Sequence, residues 1–203
     1  MKRAHYLLWA GFLVALATLT GIAVRRHWAE PVPGYLGQVG PFQLTNQLAS
    51  KVGLDSLRGD VVIANVIFSR CPSQCHRLSQ QMARIQSQTG PGIRLVSLTA
   101  DPDYDSPEIL RKYGVRYGAD PNRWWFLTGA KAELYRFAEK DLLFTVMDTG
   151  EKNPKLEDRF IHSGNYVVLD RQGRLRGVVQ SEEAGAEKQA VSLARRLQRN
   201  PEL

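Results

Sequence analysis

One stretch constrains this chain more than any other: Val61-Val-Ile-Ala-Asn-Val-Ile-Phe-Ser-Arg-Cys71-Pro-Ser-Gln-Cys75-His76. Val61 to Phe68 is an apolar run rich in β-branched residues, which reads as a strand buried on both faces, as in parallel sheets. A helical pattern follows through Leu78, Met82 and Ile85, spaced by four and three residues. The only two cysteines of the chain stand at this junction, where a strand hands over to a helix N-terminus. Unpaired N–H groups and the positive end of the helix dipole there favour thiolates and lower their pKa. A spacing of four places both sulfurs on one face of the first turn, roughly 5–6 Å apart at Cβ. That is slightly long for an unstrained disulfide and suits two ligands on one soft metal ion. The pair is poised to bridge or to bind.

At 203 residues and 43% hydrophobic content, the chain holds one ordinary globular domain plus an appendage. The appendage is N-terminal. Tyr6 to Val24 carries no charge and is flanked by Lys2, Arg3 and His5 on one side and Arg25, Arg26 and His27 on the other. At about 1.5 Å per residue it can just cross a roughly 30 Å hydrocarbon core. Ala15-Leu16-Ala17 offers a signal-peptidase-like site, but the apolar run continues past it, which favours an uncleaved anchor. The expected division is a membrane anchor over 1–27, a Pro- and Gly-rich tether over 28–40 and a globular domain over 41–203. Paired cysteines place that domain outside the cytoplasm, and the lack of an Arg- and Ser-rich transit segment favours a bacterial envelope. The expectation is a single-pass inner-membrane protein with its domain on the periplasmic side, touching lipid through the N-terminal helix.

The net charge of +7 does not signal nucleic acid. Lys2, Arg3, Arg25 and Arg26 lie in an acid-free segment, and removing these four from 27 basic residues leaves 23 against 20 acidic ones. A surplus of three argues against a nucleic-acid partner, and the N-terminal positives read as membrane flanks. Arg195, Arg196 and Arg199 read as the solvated face of a last helix.

Further along, Pro41 to Thr45 alternates like a short strand, and Leu54 to Gly59 reads as a turn or a single helical turn. Ile93 to Leu98 is a second buried strand. Ser106-Pro107-Glu108 opens a helix ending near Gly114 or Gly118. Trp124 to Leu127 is a third strand, Ala130 to Leu142 a third helix, and Asp148 to Asp158 an exposed loop. Tyr166 to Asp170, the turn Arg171 to Gly173, and Arg174 to Val179 form a hairpin before a closing helix over Ala184 to Arg199. Strands alternating with helices give a three-layer α/β sandwich. Met82 and Met147 read as core, Trp124 and Trp125 as sheet packing, and Asp101 and Asp105 as caps of a turn or of the next helix.

Taken together, Cys71-x-x-x-Cys75, Thr99-Ala-Asp101-Pro102 with Asp105-Ser-Pro107-Glu108, Trp125-Phe-Leu-Thr-Gly129, and His162 before Tyr166-Val-Val-Leu-Asp170-Arg-Gln-Gly173 resemble the Sco/SenC family. The resemblance spans about residues 35–199. It implies a thioredoxin-like three-layer α/β/α sandwich on an N-terminal transmembrane helix, and a metallochaperone that supplies copper, Cu(I) or Cu(II), to the dinuclear copper site of cytochrome c oxidase. It implies Cys71, Cys75 and His162 as copper ligands. The partners implied are the oxidase copper-site subunit or another copper acceptor. Two positions depart from the family pattern. His76 stands where proline usually follows the second cysteine, and Ile161 stands where an acid commonly precedes the histidine. The first offers a further nitrogen or a solvated side chain; the second removes a group that would orient the ligand.

The chemistry of the residues points the same way. Two thiolates suit Cu(I), and an added imidazole can also hold Cu(II), whereas structural zinc usually takes four protein ligands. The competing reading is a thiol–disulfide oxidoreductase using only Cys71 and Cys75, with an external thiol reductant as partner. Such reductases usually carry Cys-x-x-Cys and a proline before the hairpin strand; the spacer here is three, and Ser163-Gly164-Asn165 has no proline. A structural disulfide closing so short a loop would stabilise little. A redox or copper sensor remains a third reading.

Overall fold

A computed structural model of the chain describes residues 9, 11–20, 34–72, 74–150 and 160–200. The chain falls into two compact units, Met1–Val32 and Pro33–Leu203. Of the membrane helix expected over Tyr6 to Val24, positions 6–8, 10 and 21–24 lie outside the described residues. Positions 9 and 11–20 are helical, and among the described residues no helix is long and apolar enough to cross a membrane.

The apolar run becomes β4 (Val61–Ile67), every residue of which is buried. It sits at the middle of an eight-stranded sheet. In chain order the other elements are β1 (Gly37–Gln38), β2 (Gln43–Asn46), β3 (Lys51–Gly53), α1 (Leu54–Leu57), α2 (Gln74–Gln88), β5 (Ile93–Thr99), α3 (Pro107–Arg116), β6 (Trp124–Thr128), α4 (Lys131–Arg136), β7 (Val146–Asp148), β8 (Phe160–His162), β9 (Asn165–Leu169), β10 (Arg174–Gln180) and α5 (Ala186–Arg199). The sheet order is β1-β10-β9-β4-β5-β6-β2-β3, and β7 and β8 pair separately. β4, β5 and β6 run parallel, with Val61 opposite Ile93 and Leu95 opposite Trp124; β9 runs antiparallel to β4.

Two successive parallel crossovers in one direction put α2 and α3 on one face of the sheet, because such crossovers are right-handed. Tyr113 of α3 packs edge-on against Phe126, and Tyr166 of β9 donates to Gln81 of α2 at 2.7 Å. α5 covers the same face, where a Cβ on Gly177 of β10 would meet Leu193 at 2.6 Å. On the other face Phe42 and Phe137 stack with centroids 4.0 Å apart. Helices on both faces of a mixed sheet explain why β4 carries apolar residues at nearly every position rather than alternately.

One polar chain crosses the core. Trp124 Nε1 donates to Ser97 Oγ at 2.9 Å, which donates to Asn65 Oδ1 at 2.6 Å. It accounts for the only polar residue inside the β4 run and locks three parallel strands in register.

The boundaries differ from expectation in instructive places. β1 and β3 are two and three residues long, too short for a periodic pattern. The third helix is α4 followed by a single π turn over Phe137–Asp141, which swings Asp141 against the Gly40 amide and the Arg136 guanidinium. α3 runs through Gly114, because a Cβ there would come within 2.8 Å of Phe126; Gly118, at φ 65°, lies just past the helix. Asp148 belongs to a strand, and 151–159 of the expected loop lie outside the described residues.

The turn joining β9 to β10 depends on Asp170. Its carboxylate accepts from the amides of Gln172 and Arg174 and from the Arg174 and Arg176 guanidinium groups, with Arg176 almost fully buried. Removing it takes a carboxylate away from a buried guanidinium and from two turn amides. Asp170→Ala is expected to lower unfolding free energy by about 3 kcal/mol, read from the urea midpoint at unchanged slope.

Candidate functional site

β4 ends where its chain emerges at the C-terminal edge of the parallel strands, the usual place for sites in such sheets. Phe68 is buried, and the chain then makes a turn through Ser69, Arg70, Cys71 and Pro72 before α2 begins at Gln74. The two cysteines are therefore not both in the first helical turn. Cys71 precedes the helix and is half-buried, and its sulfur accepts the Cys75 amide at 3.4 Å. Cys75 is fully buried, and its sulfur accepts the Phe68 amide at 3.4 Å. Cys71 and Cys75 are not joined by a disulfide.

Burial reverses the expected electrostatics at Cys75. Removal from water, reinforced by the neighbouring Cys71, pushes its thiol far above the ordinary range, and the amide of Phe68 offsets only part of this. A helix terminus favours a thiolate only where solvent can also reach it. Cys75 rests as a thiol.

The third candidate arrives from a distant part of the chain. β8 pairs with β7 in the register His162 opposite Val146 and Ile161 opposite Met147. Alternation turns Phe160 and His162 to one side, where Phe160 and the His162 ring both pack against Phe68. His162 Nε2 lies 3.3 Å from Cys75 Sγ, and its Nδ1 lies 3.2 Å from the Ser163 carbonyl. A carbonyl can only accept, so Nδ1 carries the proton and Nε2 presents a lone pair to the thiol. The backbone takes the orienting role that an acidic neighbour would otherwise fill. Cys71 touches Cys75, and Cys75 touches His162. Among the described residues, no three His, Cys, Asp or Glu side chains converge in one ready cage.

The same register exposes Ile161 and Met147 on the outer side, at 55% and 54%. Met147 is thus a surface residue rather than the expected core one, whereas Met82 is wholly buried. His76 points outward, bonded to the Tyr117 hydroxyl at 2.9 Å and to Gln80 at 3.0 Å, and takes no part in the thiol group. Trp124 is core, and Trp125 lies under the Arg94 guanidinium at 3.8 Å.

Asp101 and Asp105 do more than cap. Ser106 caps α3 through the Ile109 amide at 3.3 Å, leaving Asp105 free to reach across to the cysteine turn. Asp105 accepts from the Ser69 amide at 3.0 Å, from the Ser69 hydroxyl and from Thr99. Asp101 holds Arg70 at 2.5 Å, and Arg70 lies 3.9 Å over the Tyr104 ring. Tyr113 bonds Ser79 at 2.7 Å and reaches the Cys75 carbonyl at 3.4 Å. The motif Thr99-Ala-Asp101-Pro102 through Asp105 was visible in the sequence, but not its reach across to Ser69 and Arg70.

Residues 36–198 match the family model described as SCO1/SenC. A SCO1 protein homolog of Bacillus subtilis is 31% identical over 142 residues, covering 68% of this chain and 71% of its own. The structure of BsSco, described as having a disulfide switch and as a member of the Sco family of cytochrome c oxidase assembly proteins, superposes with a TM-score of 0.70 at 26% identity, covering 83% of this chain and 98% of that one. Bradyrhizobium japonicum ScoI with copper bound shares the fold, with a TM-score of 0.65 at 22% identity over 78% of this chain and 99% of its own.

Burial raises the Asp105 pKa against the lowering effect of its hydrogen bonds. The folded protein therefore holds the Asp105 proton more tightly than the unfolded chain. The contribution of this group to stability is fullest below the ordinary carboxylate value of about 3.9 and declines as pH rises through the elevated one. Asp105→Asn is expected to flatten that decline, measured as urea unfolding free energy across the acid range.

Proposed function

The chain belongs to the SCO1/SenC family, and from that premise we propose that it is a copper-binding metallochaperone using Cys71, Cys75 and His162. The observation that carries this reading is the 3.3 Å approach of His162 Nε2 to Cys75 Sγ, with Cys71 in contact with the same cysteine. Two sulfurs and a neutral imidazole nitrogen form a donor set suited to Cu(I) and able to hold Cu(II). Copper is the cargo here. Binding replaces the proton that Cys75 shares with His162, so loading releases protons and strengthens as pH rises. Phe68 packs edge-on against the His162 ring and gives its amide to Cys75, with Phe160 behind it, while Cys71 remains partly open. A half-exposed thiol beside a buried one suits ligand exchange, in which the acceptor's ligand replaces Cys71 first.

Within this reading, residues 1–27 anchor the domain to the bacterial inner membrane, the chain from 28 to the start of β1 tethers it, and the domain from β1 onward, which takes in the last residues of the expected 28–40 tether, faces the periplasm. The copper acceptor is the copper-site subunit of cytochrome c oxidase. Support comes from BsSco, described as belonging to a family of oxidase assembly proteins. A thiol reductant keeps both cysteines reduced, since a bridged pair offers no thiolate to the metal.

The test is copper loading of the reduced full chain in neutral detergent. One copper per chain is expected. His162→Ala and Cys75→Ser should each weaken binding by more than the roughly 10–100-fold that outer-shell changes cause, measured by competition with a chromogenic Cu(I) chelator. Indifference to His162→Ala, together with a readily reduced Cys71–Cys75 bridge, would instead support thiol–disulfide exchange.

A further inference from the structure

A cleft of about 550 Å³ opens beside the cysteine turn, lined by Ser69, Arg70, Tyr104, Ile109, Lys112, Tyr113 and Arg116. Four of these, Ile109, Lys112, Tyr113 and Arg116, recur at helical spacing and form one stripe of α3. The lining contains three cations and no carboxylate. Of the nearby acids, Asp101 lies beneath Arg70, Asp103 faces Lys131 at 3.4 Å, Glu108 pairs with Lys112 at 2.8 Å in water, and Asp105 is closed over by Ser69 and Thr99.

The three cations differ in how they are held. Arg70 is fixed by Asp101 and by the Tyr104 ring, and its Nε is buried without an acceptor. Lys112 is tied only to an exposed glutamate, an interaction of little strength. Arg116 is exposed and forms none of the ion pairs among the described residues. Two tyrosines and Ile109 supply the apolar and aromatic floor, a mixture suited to a peptide rather than to a bare inorganic anion. Tyr113 reaches the Cys75 carbonyl, so the cleft and the thiol pair share a wall.

We propose that this cleft docks an acidic segment of the protein that exchanges copper with this chain. Carboxylates of the segment meet Arg70, Lys112 and Arg116, and an aromatic or aliphatic side chain rests on Tyr104 and Ile109. Docking there brings the partner to the residue preceding Cys71 without contact to either sulfur. Charge complementarity at such a rim speeds encounter and fixes orientation. The identity of the partner rests on the copper-exchange reading; the cleft itself does not.

The test uses the metal-free, reduced, ¹⁵N-labelled full chain in neutral detergent, titrated with a blocked synthetic peptide of alternating Glu and Tyr. Saturable shifts are expected at the amides of Ser69, Arg70, Tyr104 and Arg116. The double variant Lys112→Glu with Arg116→Glu should weaken binding about tenfold or more. A second basic cleft, lined by Lys188 and Arg199 on α5, provides the control, and its double charge reversal should leave affinity unchanged. Equal weakening by both reversals, or shifts that never saturate, would overturn the proposal. Free glutarate binding as tightly as the peptide would overturn it too, by making the cleft a small-anion site. With copper absent, failure here leaves the three-ligand reading untouched.

Discussion

The arrangement depends on a carboxylate buried under a turn. Asp105 receives the amide and hydroxyl of Ser69 and the hydroxyl of Thr99, joining the ends of two adjacent parallel strands. Without such a tie, the chain leaving β4 would cross the sheet edge with its polar groups unpaired, and the path from Phe68 to Cys71 would be free to vary. Asp101 and Arg70 brace the same turn from the outer side. The position of Cys71 is therefore set by residues some thirty positions further along as well as by the Cys75 amide of the helix that follows it.

The two sulfurs occupy unlike environments. Cys75 is sealed beneath Phe68 and His162 and keeps its proton, while Cys71 stands half in solvent before the helix begins. A symmetric pair would be bound or released as a unit. Here one sulfur can be approached from outside while the other stays fixed against a histidine whose second nitrogen is held by a backbone carbonyl. Because a carbonyl does this work, an acidic residue at position 161 is not needed to set the tautomer, and Ile161 points away from the thiols.

The β7–β8 ribbon is what delivers His162. Its inner side packs Phe160 and His162 onto Phe68, and its outer side leaves Met147 and Ile161 in solvent. Period-two alternation forces this split once the inner side is chosen. A short ribbon paired apart from the main sheet depends on the Phe68 contact for its place, so histidine position and core packing are linked.

The sequence by itself determined the central strand, the α/β class, the cysteine helix, the terminal hairpin and helix, and the family. Each rests on a local pattern: an apolar run from Val61, a four-and-three repeat through Leu78 and Met82, or a motif in fixed order. Alternating strands and helices of that length leave few packings open, which is why the architecture was legible. Short elements such as β1, β3, β7 and β8 were not, because two or three residues carry no period. Only the tertiary structure decided the rest. It raised the Cys75 pKa, which a helix terminus alone would have lowered, since burial depends on what lies above the helix. It turned Asp105 from a local cap into a long-range tie and moved Met147 to the surface. Desolvation and pairing register are properties of neighbours distant in the chain, and no local pattern of residues encodes them.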